Sequence, residues 1–339
     1  MAQELRLGII GAGRIGKVHA RTIVNRVPEA RLVAIADPQR AAAEALASEL
    51  RVPRALSDHR ELLHDREIDA VLVCSSTDTH AAVVTEAAAA GKQIFCEKPL
   101  DLKLARIDAV LEAVSRAGVK LMMGFNRRFD ADFARIRDEV VRGAVGEPHL
   151  LRITSRDPGP PPIAYVKVSG GMFLDMTIHD FDMARFVMGR EVEEVLAATA
   201  VLVDPAIGAA GDIDTAIVTL RFAGGAMGAI DNSRRAVYGY DQRVEVLGST
   251  GMVANANHAA DTVSHADAQG VHESLPLNFF MQRYAAAYEA EIRAFVECVA
   301  KGSEVPVGGV DAREATVIAY AALRSSQERR AVTTKEIRA

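Results

Sequence analysis

Residues 7 to 16, Leu7-Gly8-Ile9-Ile10-Gly11-Ala12-Gly13-Arg14-Ile15-Gly16, carry an apolar strand into a Gly-x-Gly-x-x-Gly turn, and nothing else in the chain restricts its fold as strongly. A second apolar strand, Leu32-Val33-Ala34-Ile35-Ala36, ends on Asp37. Strand, turn, helix, strand and terminal acid in this order predict a dinucleotide site. Gly11 permits the tight turn, Gly13 leaves room for a pyrophosphate against the backbone, and Gly16 lets the next helix pack close to the strand. The helix N-terminus offers unpaired N–H groups and the positive end of its dipole to the phosphates, which makes Gly11, Gly13, Arg14, Ile15 and Gly16 the candidate cofactor turn. Asp37, about 20 residues beyond the last glycine, stands where a carboxylate accepts from both hydroxyls of an adenosine ribose. It would repel a 2′-phosphate, so NAD is expected over NADP. Arg40, three residues on, is the one feature that softens this preference.

A chain of 339 residues exceeds what one core usually organises, so two domains are expected. The formal net charge of −5 gives no global attraction to nucleic acid or to an anionic membrane. No apolar stretch reaches the length of a membrane span, and Met-Ala-Gln-Glu leads straight into a strand, which makes the cytoplasm the expected location. Of the three cysteines, Cys74 and Cys96 end apolar strand patterns and read as small buried hydrophobes, not as a disulfide or zinc set. No metal is expected.

Through residue 123, strands and helices alternate. After the first unit come a helix over 39–50, a short helix near 58–64, a strand over 70–74, a helix over 79–90 stopped by Gly91, a strand over 93–96, a helix over 102–117 and a strand over 119–123. Continuous apolar strands separated by helices predict a doubly wound parallel α/β sheet of the Rossmann kind, in a domain of residues 1–123. From Gly124 the texture changes. Helices are expected at 130–142 and 171–188, a strand at 149–154, and β-rich segments at 192–203, 214–222, 226–232 and 242–247, with turns between them that favour hairpins. Residues 124–339 are therefore expected to form an α+β domain with an open, mainly antiparallel sheet. One face of that sheet lacks a helical cover, so burial against another subunit is expected. The last helices, 282–300 and 311–326, are amphipathic and suited to packing back on the first domain.

In a doubly wound fold, chemistry sits beyond the carboxyl ends of the strands. The fourth strand is followed by Cys74-Ser75-Ser76-Thr77-Asp78-Thr79-His80, small and polar, which makes Ser75, Thr77 and His80 candidates for cofactor contacts. His80 has an equal alternative as a helix-start histidine bonded to backbone. The fifth strand is followed by Glu97-Lys98-Pro99. Lys98 is suited to donate to a substrate oxygen and to stabilise a developing alkoxide, with Glu97 beside the cofactor and Pro99 fixing the backbone. A surface pair between Glu97 and Lys98 is geometrically poor, because strand neighbours point to opposite faces. The base for an alcohol proton is expected from Asp175 and His179, four apart on one predicted helix, where the carboxylate orients the imidazole and raises its basicity. Asp182 lies on nearly the same face.

These three elements, the glycine turn, the Glu97-Lys98-Pro99 triplet and the Asp175-x-x-x-His179 helix, in this order and spacing, resemble the glucose-fructose oxidoreductase, inositol dehydrogenase and rhizopine-catabolism family. The resemblance covers essentially the whole chain. Residues 155–162, 170–186 and 233–243 look like the inositol 2-dehydrogenases of that family. The resemblance implies NAD as cofactor, Lys98, Asp175 and His179 as the catalytic group, a cyclic polyol as substrate and a homotetramer joined through the open sheets. Myo-inositol, oxidised to 2-keto-myo-inositol (scyllo-inosose), is the expected substrate; scyllo-inositol, chiro-inositol and a pyranose sugar are alternatives. The family pattern also points to Arg128 for substrate, with Asn126 or Arg127 nearer the cofactor. Asp157 is suited to accept two polyol hydroxyls, although some inositol dehydrogenases carry His-Arg-Asn where this chain has Ser155-Arg156-Asp157. Tyr238 and Tyr284 each present either a phenol to the ring or a packing face with a wet tip. Two readings from other classes remain: a metal-dependent hydrolase using Asp175, His179 and Asp182, and a non-catalytic NAD-binding regulator.

Overall fold

The computed structural model describes residues 4–338. Two compact units divide the chain, one running to Phe129 and including Ala286–Glu314, the other formed by Asp130–Ala285 with the residues from Ala315 on.

In the first unit six strands, β1 (Leu5–Ile10), β2 (Ala30–Ala36), β3 (Arg54–Leu56), β4 (Ala70–Val73), β5 (Gln93–Glu97) and β6 (Leu121–Gly124), form one sheet in the order β3-β2-β1-β4-β5-β6. Every pairing is parallel. Parallel neighbours need crossovers, and the helices that supply them cover both faces. All four residues of β4 are consequently buried. The chain order reverses between β1 and β4, so the ends of those two strands flank the crevice where ligands of such sheets bind. β3 is an addition to the strands read from sequence. Its three half-buried residues carry no apolar run.

In the second unit β7 (Pro148–Arg156), β8 (Val192–Ala200), β9 (Thr215–Phe222), β10 (Met227–Ser233), β11 (Asp241–Gly248) and β12 (Met252–Ala254) join a late strand in one seven-stranded sheet. A separate exposed hairpin, β13 (Ser264–Asp267) and β14 (Gly270–Glu273), precedes that late strand, β15 (Val332–Thr333). The sheet order is β12-β11-β7-β10-β9-β8-β15. All pairings are antiparallel except β7 with β10, which is parallel. Burial alternates along β9, with Ala216, Val218, Leu220 and Phe222 inside. The opposite face leaves Leu150, Leu196, Ile217, Met227 and Leu247 exposed.

The single helix expected over 171–188 is two helices, Met172–Asp175 and Ile178–Met188. Thr177 donates its N–H to the Met172 carbonyl, five residues back, which widens the turn and interrupts the usual bonding. No helix of the described residues is long and apolar enough to cross a membrane.

Candidate active site

The glycine turn of the first unit has the geometry a dinucleotide requires. Gly11 adopts φ +105, and a Cβ there would lie 2.5 Å from the Cys74 carbonyl oxygen. A Cβ on Gly16 would overlap the Gly11 carbonyl oxygen, whereas one on Gly13 would meet nothing within 4 Å. Gly11 and Gly16 are thus required by the protein's own backbone, and Gly13 borders open space. The helix Arg14–Arg26 begins there with no side-chain cap on its first-turn N–H groups. At the end of β2, Asp37 accepts from the Ala12 N–H at 2.7 Å and the Gln39 N–H at 2.8 Å, fixing its carboxylate beside the turn. These residues fit NAD.

Other candidates in this unit are already engaged. The two ring nitrogens of buried His80 lie 2.8 Å from the Pro99 carbonyl and 3.0 Å from the Ser75 carbonyl, so the backbone-bonding alternative describes this ring. The ring ties the loop after β4 to the loop after β5. Ser75 bonds the Thr79 hydroxyl at 2.7 Å, and Thr77 opens the helix Thr77–Ala89. Glu97 is buried, with Oε1 2.7 Å from His19 Nε2. Lys98 follows it, half-buried, before a cis bond to Pro99. Arg128 donates to Asp311 at 2.9 Å.

In the second unit, the segment 172–184 is buried throughout except at two positions, Asp175 and His179. Asp182 is buried with the rest. Asp175 Oδ1 accepts from the Tyr165 hydroxyl at 2.8 Å, and Oδ2 lies 3.3 Å from Arg234 Nη1. The buried Arg234 guanidinium also lies 3.7 Å from Asp157 and 3.9 Å from Asp212, so one cation serves three carboxylates. Asp212 in turn accepts from the Met172 N–H at 2.9 Å, at the start of the Asp175 helix. Thr177 and Asp180 are both bonded to Asn232 of β10, which fixes the start of the helix that carries His179.

Tyr238 and Tyr284 behave differently. The Tyr238 phenol donates to Asp241 at 2.6 Å and accepts from Arg156 at 2.9 Å. Desolvation and the Asp241 charge raise its pKa above the usual phenol value. Burial alone would raise the Asp241 carboxyl, but bonds from Arg243, Tyr238 and Asn257 outweigh it and hold the group below its ordinary value. Tyr284 is packed against Phe133 and Tyr240, its hydroxyl 3.4 Å from Gln242. The packing alternative describes Tyr284. Among the described residues, His19, Glu97 and Glu291 are the one group of three with metal-capable atoms within 4.8 Å of one another. Asp175, His179 and Asp182 do not form such a group.

Residues 5–125 match the oxidoreductase family with an NAD-binding Rossmann fold, and residues 133–254 match the GFO/IDH/MocA C-terminal domain. The chain belongs to the GFO/IDH/MocA oxidoreductase family. Among GFO/IDH/MocA relatives, a myo-inositol 2-dehydrogenase of Thermotoga maritima is 50% identical over 98% of this chain and 99% of its own length. An inositol 2-dehydrogenase of Rhizobium meliloti is 49% identical over 97% of this chain and 99% of its own. A scyllo-inositol dehydrogenase of Lactobacillus casei, solved with NAD(H) and scyllo-inositol bound, superposes with a TM-score of 0.92 at 28% identity, covering 98% of this chain and 100% of that one.

Sequence reasoning missed several residues that bond or pack beside the candidates: Tyr165 and Arg234 on Asp175, Asp212 on Arg234, Asn232 on Thr177 and Asp180, and His19 and Glu291 beside Glu97. Arg234 stands in the stretch that resembles inositol 2-dehydrogenases, but between Ser233 and Arg235 it reads as a solvated cation. Glu291 carried a readable signal. It falls on the apolar stripe of the helix Ala285–Lys301, with Tyr288, Ile292 and Phe295.

Proposed function

We propose that this protein is an NAD-dependent oxidoreductase that oxidises one secondary alcohol of a cyclic polyol, with myo-inositol as substrate and 2-keto-myo-inositol as product. Bound NAD supplies the hydride acceptor, held by Gly11, Gly13, Arg14, Ile15, Gly16 and Asp37. His179 takes the hydroxyl proton as general base. Asp175, steadied by Tyr165 and Arg234, orients the imidazole and supports the imidazolium that forms. Lys98 hydrogen-bonds the same oxygen and stabilises negative charge on it as the alcohol becomes a ketone. Asp157, which shares Arg234 with Asp175, accepts from neighbouring ring hydroxyls.

The observation that carries this reading is the pattern in 172–184, where Asp175 and His179 alone are not buried in an otherwise closed segment. Asp175 is held by the Tyr165 hydroxyl and the buried Arg234, partners outside its own helix. The identity to proteins named inositol 2-dehydrogenase supports the substrate class. The exposed apolar face of the mixed sheet, with Arg152, Glu194 and Arg221 among its apolar residues, suits a second copy of the chain, and a homotetramer is the assembly we infer. A cytoplasmic enzyme of inositol catabolism agrees with three free, buried cysteines.

NADH formation measured against myo-, scyllo- and chiro-inositol and the common hexoses tests the assignment. The highest kcat/KM is expected with myo-inositol. A preference for scyllo-inositol or a pyranose would move the substrate but keep the chemistry, and no NADH from any cyclic polyol would end the reading.

A further inference from the structure

Behind the end of β5 lies a buried polar cluster that the proposed chemistry does not use. His19, in the helix that follows the glycine turn, is 0% exposed, and its Nε2 bonds Glu97 at 2.7 Å. Its ring meets Phe95 and Tyr288 edge-on, with centroids at 5.2 and 5.6 Å. Glu97 lies over Gly124 of β6, where a Cβ would come within 3.0 Å of its carboxylate carbon. Glu291 is also 0% exposed, and neither of its carboxyl oxygens has a hydrogen-bond partner. Ligand atoms of His19, Glu97 and Glu291 all lie within 4.8 Å of one another. The other ionisable groups around them are Cys74 after β4, Cys96 of β5 and Tyr288 on the helix of Glu291.

Two carboxylates cannot both be ionised at this separation in an apolar core, because each would lack hydration and would repel the other. Glu97 has the imidazole as its partner; Glu291 has no donor. We propose that His19, Glu97 and Glu291 form a proton-holding cluster, with the proton resident on Glu291, that locks the strand end bearing Lys98 to the helix of the cofactor turn. Burial pushes the Glu291 carboxyl far above its ordinary value, and the Glu97 charge pushes it further. Burial likewise raises the thiols of Cys74 and Cys96. Glu97 and Lys98 are consecutive, so anchoring the glutamate on the helix side fixes where the lysine starts. Glu97, His19 and Glu291 are thus positioning residues. Their functional consequence rests on the assignment of Lys98 above, while the protonation of Glu291 does not.

Infrared difference spectroscopy of the full-length protein at pH 7.5 reads the proton directly. A carboxylic acid C=O band is expected in the wild type and not in Glu291→Gln; an identical band in both would overturn the proposal. Kinetics read the positioning: Glu291→Ala should lower kcat about tenfold with NAD affinity little changed, because small misplacements of a catalytic group are costly. Glu291→Gln, which keeps the volume and is neutral like the protonated acid, should recover most of that loss. Full activity in the alanine variant, or a glutamine variant as impaired as alanine, would contradict positioning by a neutral acid. One equivalent of a divalent metal in the purified protein by elemental analysis would also overturn it. If Lys98→Ala left turnover intact, the role of Lys98 would fall and the infrared band would still be expected.

Discussion

In β4 all four residues are buried, whereas in β9 burial alternates from one residue to the next. The two sheets solve the same packing problem with opposite consequences. Helices cover the parallel sheet on both faces, so its strand ends are where a ligand can bind, and the residues proposed to bind follow strands in the sequence: Gly11 after β1, Asp37 after β2, Lys98 after β5. The mixed sheet keeps one face for the helices of its own unit and leaves the other open. The residues proposed for its site come from connections far apart in the chain, Asp157 after β7, Asp175 between β7 and β8, Arg234 after β10. The comparison teaches that a cofactor site can be concentrated in one local motif while a substrate site is assembled from several loops.

The largest effect is expected at Arg234. Replacing it with methionine leaves Asp157, Asp175 and Asp212 without their shared cation, at an expected cost of about 3–5 kcal/mol. Chemical denaturation followed by a probe in the second unit checks this, and a loss below about 1 kcal/mol would mean that the three carboxylates have other counter-charges.

The two kinds of glycine in the turn offer a sharper contrast. Gly16→Ala should destabilise the protein itself by about 1–3 kcal/mol, because the methyl group meets backbone. Gly13→Ala should leave the stability of the NAD-free protein unchanged and weaken NAD binding, because its Cβ meets only the space assigned to pyrophosphate. Thermal melts with and without NAD separate the two. Equal behaviour of both variants would contradict the assignment of Gly13 to the ligand.

On the open face of the mixed sheet, Met227→Glu should dissociate the tetramer proposed above, as seen by light scattering, and leave the fold of each chain intact. An unchanged assembly would place the contact elsewhere.

The smallest effect belongs to the surface of the parallel unit. A side-chain bond from Arg6 holds Asp69 below its ordinary value, so its contribution is present above the unfolded pKa near 3.9 and is lost as pH falls through the lower folded value. Because the pair is partly exposed, Asp69→Asn should cost no more than about 1 kcal/mol at pH 7. The difference from wild type should close as the pH falls through that lowered folded value.

Much of this was legible in the sequence, and for identifiable reasons. Apolar runs gave the parallel strands, and Gly11 to Gly16 with Asp37 gave the cofactor turn, because the whole signal lies within one unit of chain. Lys98, Asp175 and His179 are proposed from residue type and context. What was not legible depends on distant chain. The parallel pairing of β7 with β10 is set by topology, since β10 reaches β7 only after β8 and β9 have been laid down. The interruption at Thr177 is a change in which carbonyls accept the N–H groups of Thr177, His179 and Asp180, and residue types do not report it. Arg234 looks solvated until Asp157, Asp175 and Asp212 surround it.

The central claim is that Lys98 and His179 serve one alcohol oxygen in an NAD-linked oxidation. Single-turnover NADH formation from myo-inositol, with NAD affinity measured in parallel, tests it most directly. Lys98→Ala and His179→Ala should each slow the chemical step by about 10²–10³-fold while NAD affinity stays near that of the wild type. A chemical step as fast as wild type in either variant would contradict the account.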